Sequence, residues 1–155
     1  MMKRLIPALL SASLATAANA QDFYVGGGLD YHFPHSGDDQ VVTSLIAGLE
    51  MDAGPFAISG EAEFGARIAG DNDYDTARVR GLISYDWRDY ALHVSGGITE
   101  YYFDDDNAGG YNFGLGAARD ISDTLAIRGE LIRDFMDNTF TAAVTTSRVA
   151  VIYKF

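Results

Sequence analysis

Apolar and polar residues alternate along most of this chain with a period of two. That period predicts β-strands, because successive side chains leave a pleated backbone on opposite sides. The pattern is clearest over the last nine residues. There Val149, Val151, Tyr153 and Phe155 fall on one face, and Arg148, Ala150, Ile152 and Lys154 on the other. The same rule predicts seven earlier strands, at residues 22–33, 40–51, 56–68, 76–85, 90–103, 110–118 and 124–135, with the eighth at 139–155. In the first, Phe23, Val25, Leu29, Tyr31 and Phe33 oppose Tyr24, Asp30 and His32. In the third, Ile58, Ala62 and Phe64 oppose Glu61, Glu63 and Arg67. Short stretches rich in Gly, Pro, Asp and Asn separate the strands, and no helical period interrupts them.

Eight antiparallel strands in sequence can close into an up-and-down barrel, which removes the sheet edges that would otherwise aggregate. The connections fall into two kinds. The odd ones carry acids: Asp38-Asp39, then Asp71 with Asp73 and Asp75, then Asp104-Asp105-Asp106, then Asp137. The even ones, such as Asp52-Ala53-Gly54-Pro55, read as tight turns.

Alternation alone leaves open which face is outside. A soluble lipocalin-like barrel hides its apolar face, whereas a membrane barrel turns it outward. Three features favour the second. Glycines share a face with charges: Gly26, Gly28, Gly48, Gly65, Gly97, Gly114 and Gly116 alternate into the same side as Glu61, Glu63, Arg78, Arg80, Arg128 and Glu130. A tight interior needs such small residues; a wet surface does not. Those six charges also have opposite-sign neighbours, as burial requires. A turn centred near Asp71-Asn72 would set Arg80 opposite Glu63. Finally, the aromatics of the apolar face gather toward strand ends, among them Phe23, Phe33, Phe56, Tyr85, Tyr90 and Phe135. Glu100 and Arg133 interrupt that face near the acidic-loop end, where an interfacial charge costs little. The expectation is an all-β, eight-stranded antiparallel transmembrane barrel.

Composition fits export to a membrane. Lys3-Arg4, an apolar run from Leu5 to Ala17 and Ala18-Asn19-Ala20 have the order of a cleavable signal peptide. Cleavage is expected after Ala20, which makes residues 1–20 the leader and 21–155 the barrel domain. Losing the leader takes the net charge from −11 to −13, since both its charges are positive. That balance argues against nucleic acid as a partner. With no cysteine, disulfides cannot hold the fold. The hydrophobic share of 48% argues against disorder.

With these features together, the chain resembles the small eight-stranded outer-membrane barrels, the group that includes the OmpA transmembrane domain, OmpX and opacity-type proteins. Arg148, Ala150, Tyr153 and Phe155 match that group's terminal-strand pattern of a polar residue, a small one and two aromatics two apart. The resemblance implies that this pattern is an assembly signal read by the barrel-assembly machinery. It also implies outer-membrane lipid and lipopolysaccharide as surroundings, a plugged polar interior and no general porin activity.

The chemistry on offer is sparse. Glu61, Glu63, Arg78, Arg80, Arg128 and Glu130 read as a structural charge network in the lumen, since eight strands enclose just enough space for side chains. Residues Asp71 to Asp75 alternate acids like part of a calcium loop, but the Gly and distal Glu of such a loop are missing. The acidic loops therefore read as solvated, and as the place where an extracellular partner would dock. His35-Ser36 matches in sequence the His-Ser pair of outer-membrane lipid A deacylases, but it sits in a loop with no assignable acid. No cofactor and no metal site is implied, and no catalytic residue is assigned. The expected role is structural or surface-interacting. A soluble periplasmic small-molecule binder and a lipid-modifying outer-membrane enzyme are the alternatives.

Overall fold

The computed structural model describes residues 22–70, 74–103, 107–137 and 143–155. The expected leader, the acids Asp71, Asp73, Asp104, Asp105 and Asp106, and residues 138–142 lie outside that set. Eight strands follow one another: β1 (Asp22–Pro34), β2 (Gln40–Ala53), β3 (Phe56–Gly70), β4 (Asp75–Trp87), β5 (Tyr90–Tyr102), β6 (Asn107–Asp120), β7 (Leu125–Met136) and β8 (Ala143–Lys154). Each pairs antiparallel with the next, and β8 pairs with β1, so the sheet is a closed barrel with every strand beside its sequence neighbours.

Most strands run longer than the alternation predicts, because pairing continues into residues that look like turn formers. Trp87 pairs with Tyr90 and leaves only Arg88-Asp89 in the turn. Likewise Ala53 pairs with Phe56 and leaves Gly54-Pro55. In the latter, Gly54 takes a φ of 70°, as the first position of a tight two-residue hairpin turn requires. Arg88 adopts the same hand at φ 58° without being glycine.

The two faces separate completely in the middle of the barrel. Leu29, Leu45, Val79, Ile98, Leu131 and Val149 stand exposed on the outside, while Asp30, Glu61, Glu63, Arg78, Arg80 and Arg148 are buried within. Aromatics border the outer belt at both ends. Phe23, Phe56, Tyr85, Trp87, Tyr90 and Tyr153 lie at the short-turn end, and Tyr31, Phe33, Tyr102, Tyr111 and Phe135 at the other. Phe113 breaks this zoning from the middle of β6, where it pairs with Gly96. A soluble monomer rarely exposes an apolar patch beyond a few hundred Å², so a continuous apolar belt is a surface built for lipid. This arrangement is the reverse of what a soluble barrel with an apolar cavity needs.

Strict alternation fails near the end of β3. Arg67 was expected on the interior face with Glu61 and Glu63, but it is exposed. Val41 pairs with Ala69 while Val42 pairs with Arg67, so Ile68 is an extra residue and β3 bulges there. A bulge re-aims the side chains around it. Arg67 Nη1 donates to the carbonyl of Gly70 at 2.8 Å instead.

Inside, the lumen is layered. Toward the short turns, Tyr24, Ile46, Ala126, Ala150 and Ile152 form one apolar cluster. Toward the long loops, Tyr74, Tyr101, Ala108, Met136 and Val144 form another. Charged residues fill the space between. Gly48 is required by the first cluster: a Cβ there would lie 2.2 Å from the Tyr24 ring.

Candidate functional site

Strand register brings the charges to one level of the barrel. Glu61 pairs across from Arg80, and Glu63 from Arg78. On the far wall Glu130 faces Arg148, which faces Asp30. The expected placement of Arg80 opposite Glu63 is therefore off by two residues. A shift of two keeps every side chain on its own face, so alternation cannot detect it. The observed register gives both arginines a carboxylate directly opposite, where cross-strand attraction is strongest.

All six residues predicted for the lumen meet there. Arg80 Nη2 is 2.8 Å from Glu61 Oε2, and its Nη1 is 2.6 Å from Glu130 Oε1. Arg78 Nη1 donates to Glu63 Oε1 at 2.8 Å. Arg128 Nη1 donates to Glu61 Oε1, which also accepts from the Tyr24 hydroxyl at 2.8 Å.

Three further residues complete the network and were missed. Arg78 forks onto Asp134, with Nε to Oδ1 at 3.1 Å and Nη2 to Oδ2 at 2.7 Å. Arg148 bridges Asp30 (Nε to Oδ1, 2.7 Å) and Glu63 (Nη1 to Oε2, 2.6 Å). Parity alone could have found them: Asp30, Asp134 and Arg148 all fall on the interior face of their strands. Arg148 was counted only as part of the terminal pattern.

Nine charges in one buried cluster are tolerable only because each is paired. Desolvating an ion costs several kcal/mol, and attraction repays it only when geometry and the remaining hydrogen bonds are good. Here three of the four arginines touch two carboxylates each at hydrogen-bond distance. The fourth, Arg128, hydrogen-bonds to Glu61 alone among the described residues. Hydroxyls take the spare lone pairs: Thr99 Oγ1 and Tyr101 Oη donate to Asp134 at 2.7 and 2.8 Å.

The histidines flank the network. His32 Nδ1 lies 3.3 Å from Tyr74 Oη, and His93 Nε2 lies 3.4 Å from Glu130 Oε1. At the long-loop end, Tyr74 stacks on Tyr101 with ring centroids 4.7 Å apart. Tyr74 precedes β4, and burial pushes its phenol pKa up.

The terminal pattern splits between the faces. Arg148 and Ala150 are buried in the lumen, whereas Tyr153 and Phe155 project outward and meet edge to face at 5.0 Å. The Phe155 amide donates to the Phe23 carbonyl, tying the end of the chain to β1. His35 and Ser36 stand exposed in the β1–β2 connection, as do Asp38 and Asp39.

No family model matches the chain, and no curated protein matches it. Solved structures do. The barrel of Neisserial surface protein A superposes with a TM-score of 0.61 at 7% identity, covering 87% of this chain and 97% of that one. The N-terminal β-barrel domain of Pseudomonas aeruginosa OprF gives 0.61 at 8%, covering 85% and 97%. The fold is that of the small eight-stranded outer-membrane barrels. A de novo designed transmembrane β-barrel matches too, with a TM-score of 0.55 at 17% identity, covering 86% of this chain and 95% of the design. A designed sequence reaches the same architecture, and a fold alone does not assign a function.

Proposed function

We propose that the chain is an integral protein of the bacterial outer membrane with a structural or surface-interaction role. The observation that carries this reading is the sidedness: a closed barrel with its ions inside and an apolar, aromatic-bordered belt outside. Only helices and closed barrels satisfy the backbone within lipid, and this belt suits a bilayer. The short turns and both chain ends face the periplasm, and the acidic connections face outward among lipopolysaccharide. A partner docking on those connections would be cationic or bridged by divalent ions, and salt would weaken its binding.

The charge network acts as a plug that fixes register, and the barrel is no general porin. Residues 1–20 are removed on export. Arg148, Ala150, Tyr153 and Phe155 are read by the assembly machinery before closure, since two of them face inward afterwards. The protein is not an enzyme on this reading. His35→Ala and Ser36→Ala should leave lipid A acylation unchanged in a lipid analysis of cells expressing each variant.

The test is fractionation followed by gel mobility with and without boiling. Recovery in the outer-membrane fraction, with a mobility shift on boiling, is expected. Recovery from the periplasm without detergent would overturn the proposal.

A further inference from the structure

The outer surface carries cations at one stretch of its short-turn border. Trp87 and Tyr90 pair across the β4–β5 turn, and both rings face outward. Arg88, within that turn, sets its Cζ 5.0 Å from the centroid of the Trp87 ring. Arg119, on the next strand, sets its Cζ 5.7 Å from that of Tyr90. An aromatic face attracts a guanidinium. The outward rings therefore draw both charges to the outer side of the border, where aromatic side chains meet the headgroups of a bilayer.

Neither arginine is spent within the protein. Among the described residues no carboxylate comes within ion-pair distance of Arg88 or Arg119, although the chain carries a net charge of −11. Asp120, next to Arg119 in sequence, is held by Lys154 at 2.6 Å. Both arginines are exposed, so their donors are open to a ligand. A guanidinium fork fits a phosphate through parallel N–H donors. The lumen mouth beside them is lined by Asp86, Asp89 and Asp120, which favours a headgroup that carries an ammonium group with its phosphate.

Next to Arg119, on the side away from the turns, the outer surface sinks. Ala117 pairs with Gly129 across β6 and β7, and their row is bounded by Leu92 on β5 and Val149 on β8. Two small residues on adjacent strands leave a gap roughly 10 Å wide. A groove of about 520 Å³ occupies it, lined by Tyr90, Ala117, Arg119, Ile127 and Gly129. The packing of the barrel does not demand the glycine: a Cβ at Gly129 would meet nothing within 4 Å. The groove is thus apolar along its length and cationic at its head.

We propose that this groove holds one zwitterionic phospholipid, with its phosphodiester on Arg119 and Arg88 and an acyl chain over Ala117 and Gly129. A phosphate without a chain would lack the apolar contact, and a chain without a phosphate would leave both arginines bare. The choice of a phospholipid over lipopolysaccharide rests on the orientation proposed above, with the short turns toward the periplasm. Fractionation tests that reading and binding in micelles tests the groove, so either can fail alone.

The experiment is native mass spectrometry of the folded protein released from non-ionic detergent micelles during titration with palmitoyl-oleoyl phosphatidylethanolamine. The comparison probes are the diacylglycerol with the same chains, inorganic phosphate and lipid A. Saturable retention of a single phospholipid per barrel is expected, and each comparison probe should bind about tenfold more weakly or worse. Arg119→Gln with Arg88→Gln should weaken retention about tenfold. Gly129→Leu fills the groove and should weaken it as much. Gly60→Leu, at an outward glycine on β3 where a Cβ is equally free, should leave it unchanged. The mobility shift on boiling shows that each variant is folded. Equal retention by the parent and all variants would mark unspecific lipid around the barrel and overturn the proposal. So would no retained lipid, a protein dimer in place of the lipid adduct, or diacylglycerol or lipid A held as tightly as the phospholipid.

Discussion

Asp134 accepts four hydrogen bonds, two from Arg78 and one each from Thr99 and Tyr101. Removing it leaves Arg78 Nε and Nη2 and the Thr99 and Tyr101 hydroxyls without that buried acceptor, with Glu63 as the carboxylate Arg78 keeps, so Asp134→Ala should cost about 3–5 kcal/mol. Urea unfolding in micelles, followed by the fluorescence of the single tryptophan, Trp87, would measure this. Arg78→Met combined with Asp134→Leu should cost less than the two single changes together, because neither then leaves its partner unpaired. The other singular residue is Gly48. Gly48→Ala puts a methyl group into the space of the Tyr24 ring and should cost about 1–3 kcal/mol. In the same unfolding assay, Gly60→Ala is the control, since a Cβ there meets nothing within 4 Å. That Gly48 faces the lumen was legible from its parity. That it lies under Tyr24 depends on which residues sit opposite, and alternation does not encode that.

At the level of strands, the sequence carried the faces and lost the offsets. Glu61, Glu63, Arg78 and Arg80 were correctly turned to one side, yet the β3–β4 register was misjudged by two residues, because a two-residue slip preserves the pattern that was read. The bulge at Ile68 was invisible for a related reason: one inserted residue in one strand leaves the local alternation intact on either side. The turn at Arg88 was placed too wide, since its left-handed position is not marked by glycine. The terminal strand yields a prediction at this scale. Phe155 is 75% exposed and contacts Tyr153 on the outer surface. Phe155→Ala should therefore change the unfolding free energy of the finished barrel by about 1 kcal/mol or less. If the terminal pattern is an assembly signal, the same change should sharply reduce the amount of barrel in the outer membrane of cells. A parallel fall in both quantities would make Phe155 a packing residue only.

For the whole molecule, the question that decides function is what the outer belt touches, and β5 offers a graded test of it. Tyr90 opens the strand at the short-turn border, Val94 lies within the apolar belt, and both face outward. In lipid, the cost of an outward arginine depends on depth, about 2–4 kcal/mol at the midplane and about 0–1 kcal/mol near the interface. Val94→Arg should then severely impair folding into liposomes, and Tyr90→Arg should be mild. In water the ranking would vanish, because an arginine on a solvated strand face costs little at either position. Val94 is clear of the lumen, and Tyr90 borders only its short-turn mouth, away from the buried charges. Refolding yield into liposomes, read by the boiling-dependent mobility shift, measures both variants under one condition. Equal tolerance of the two would remove the membrane from the account and leave a soluble barrel with an outward apolar face still to be covered by something else.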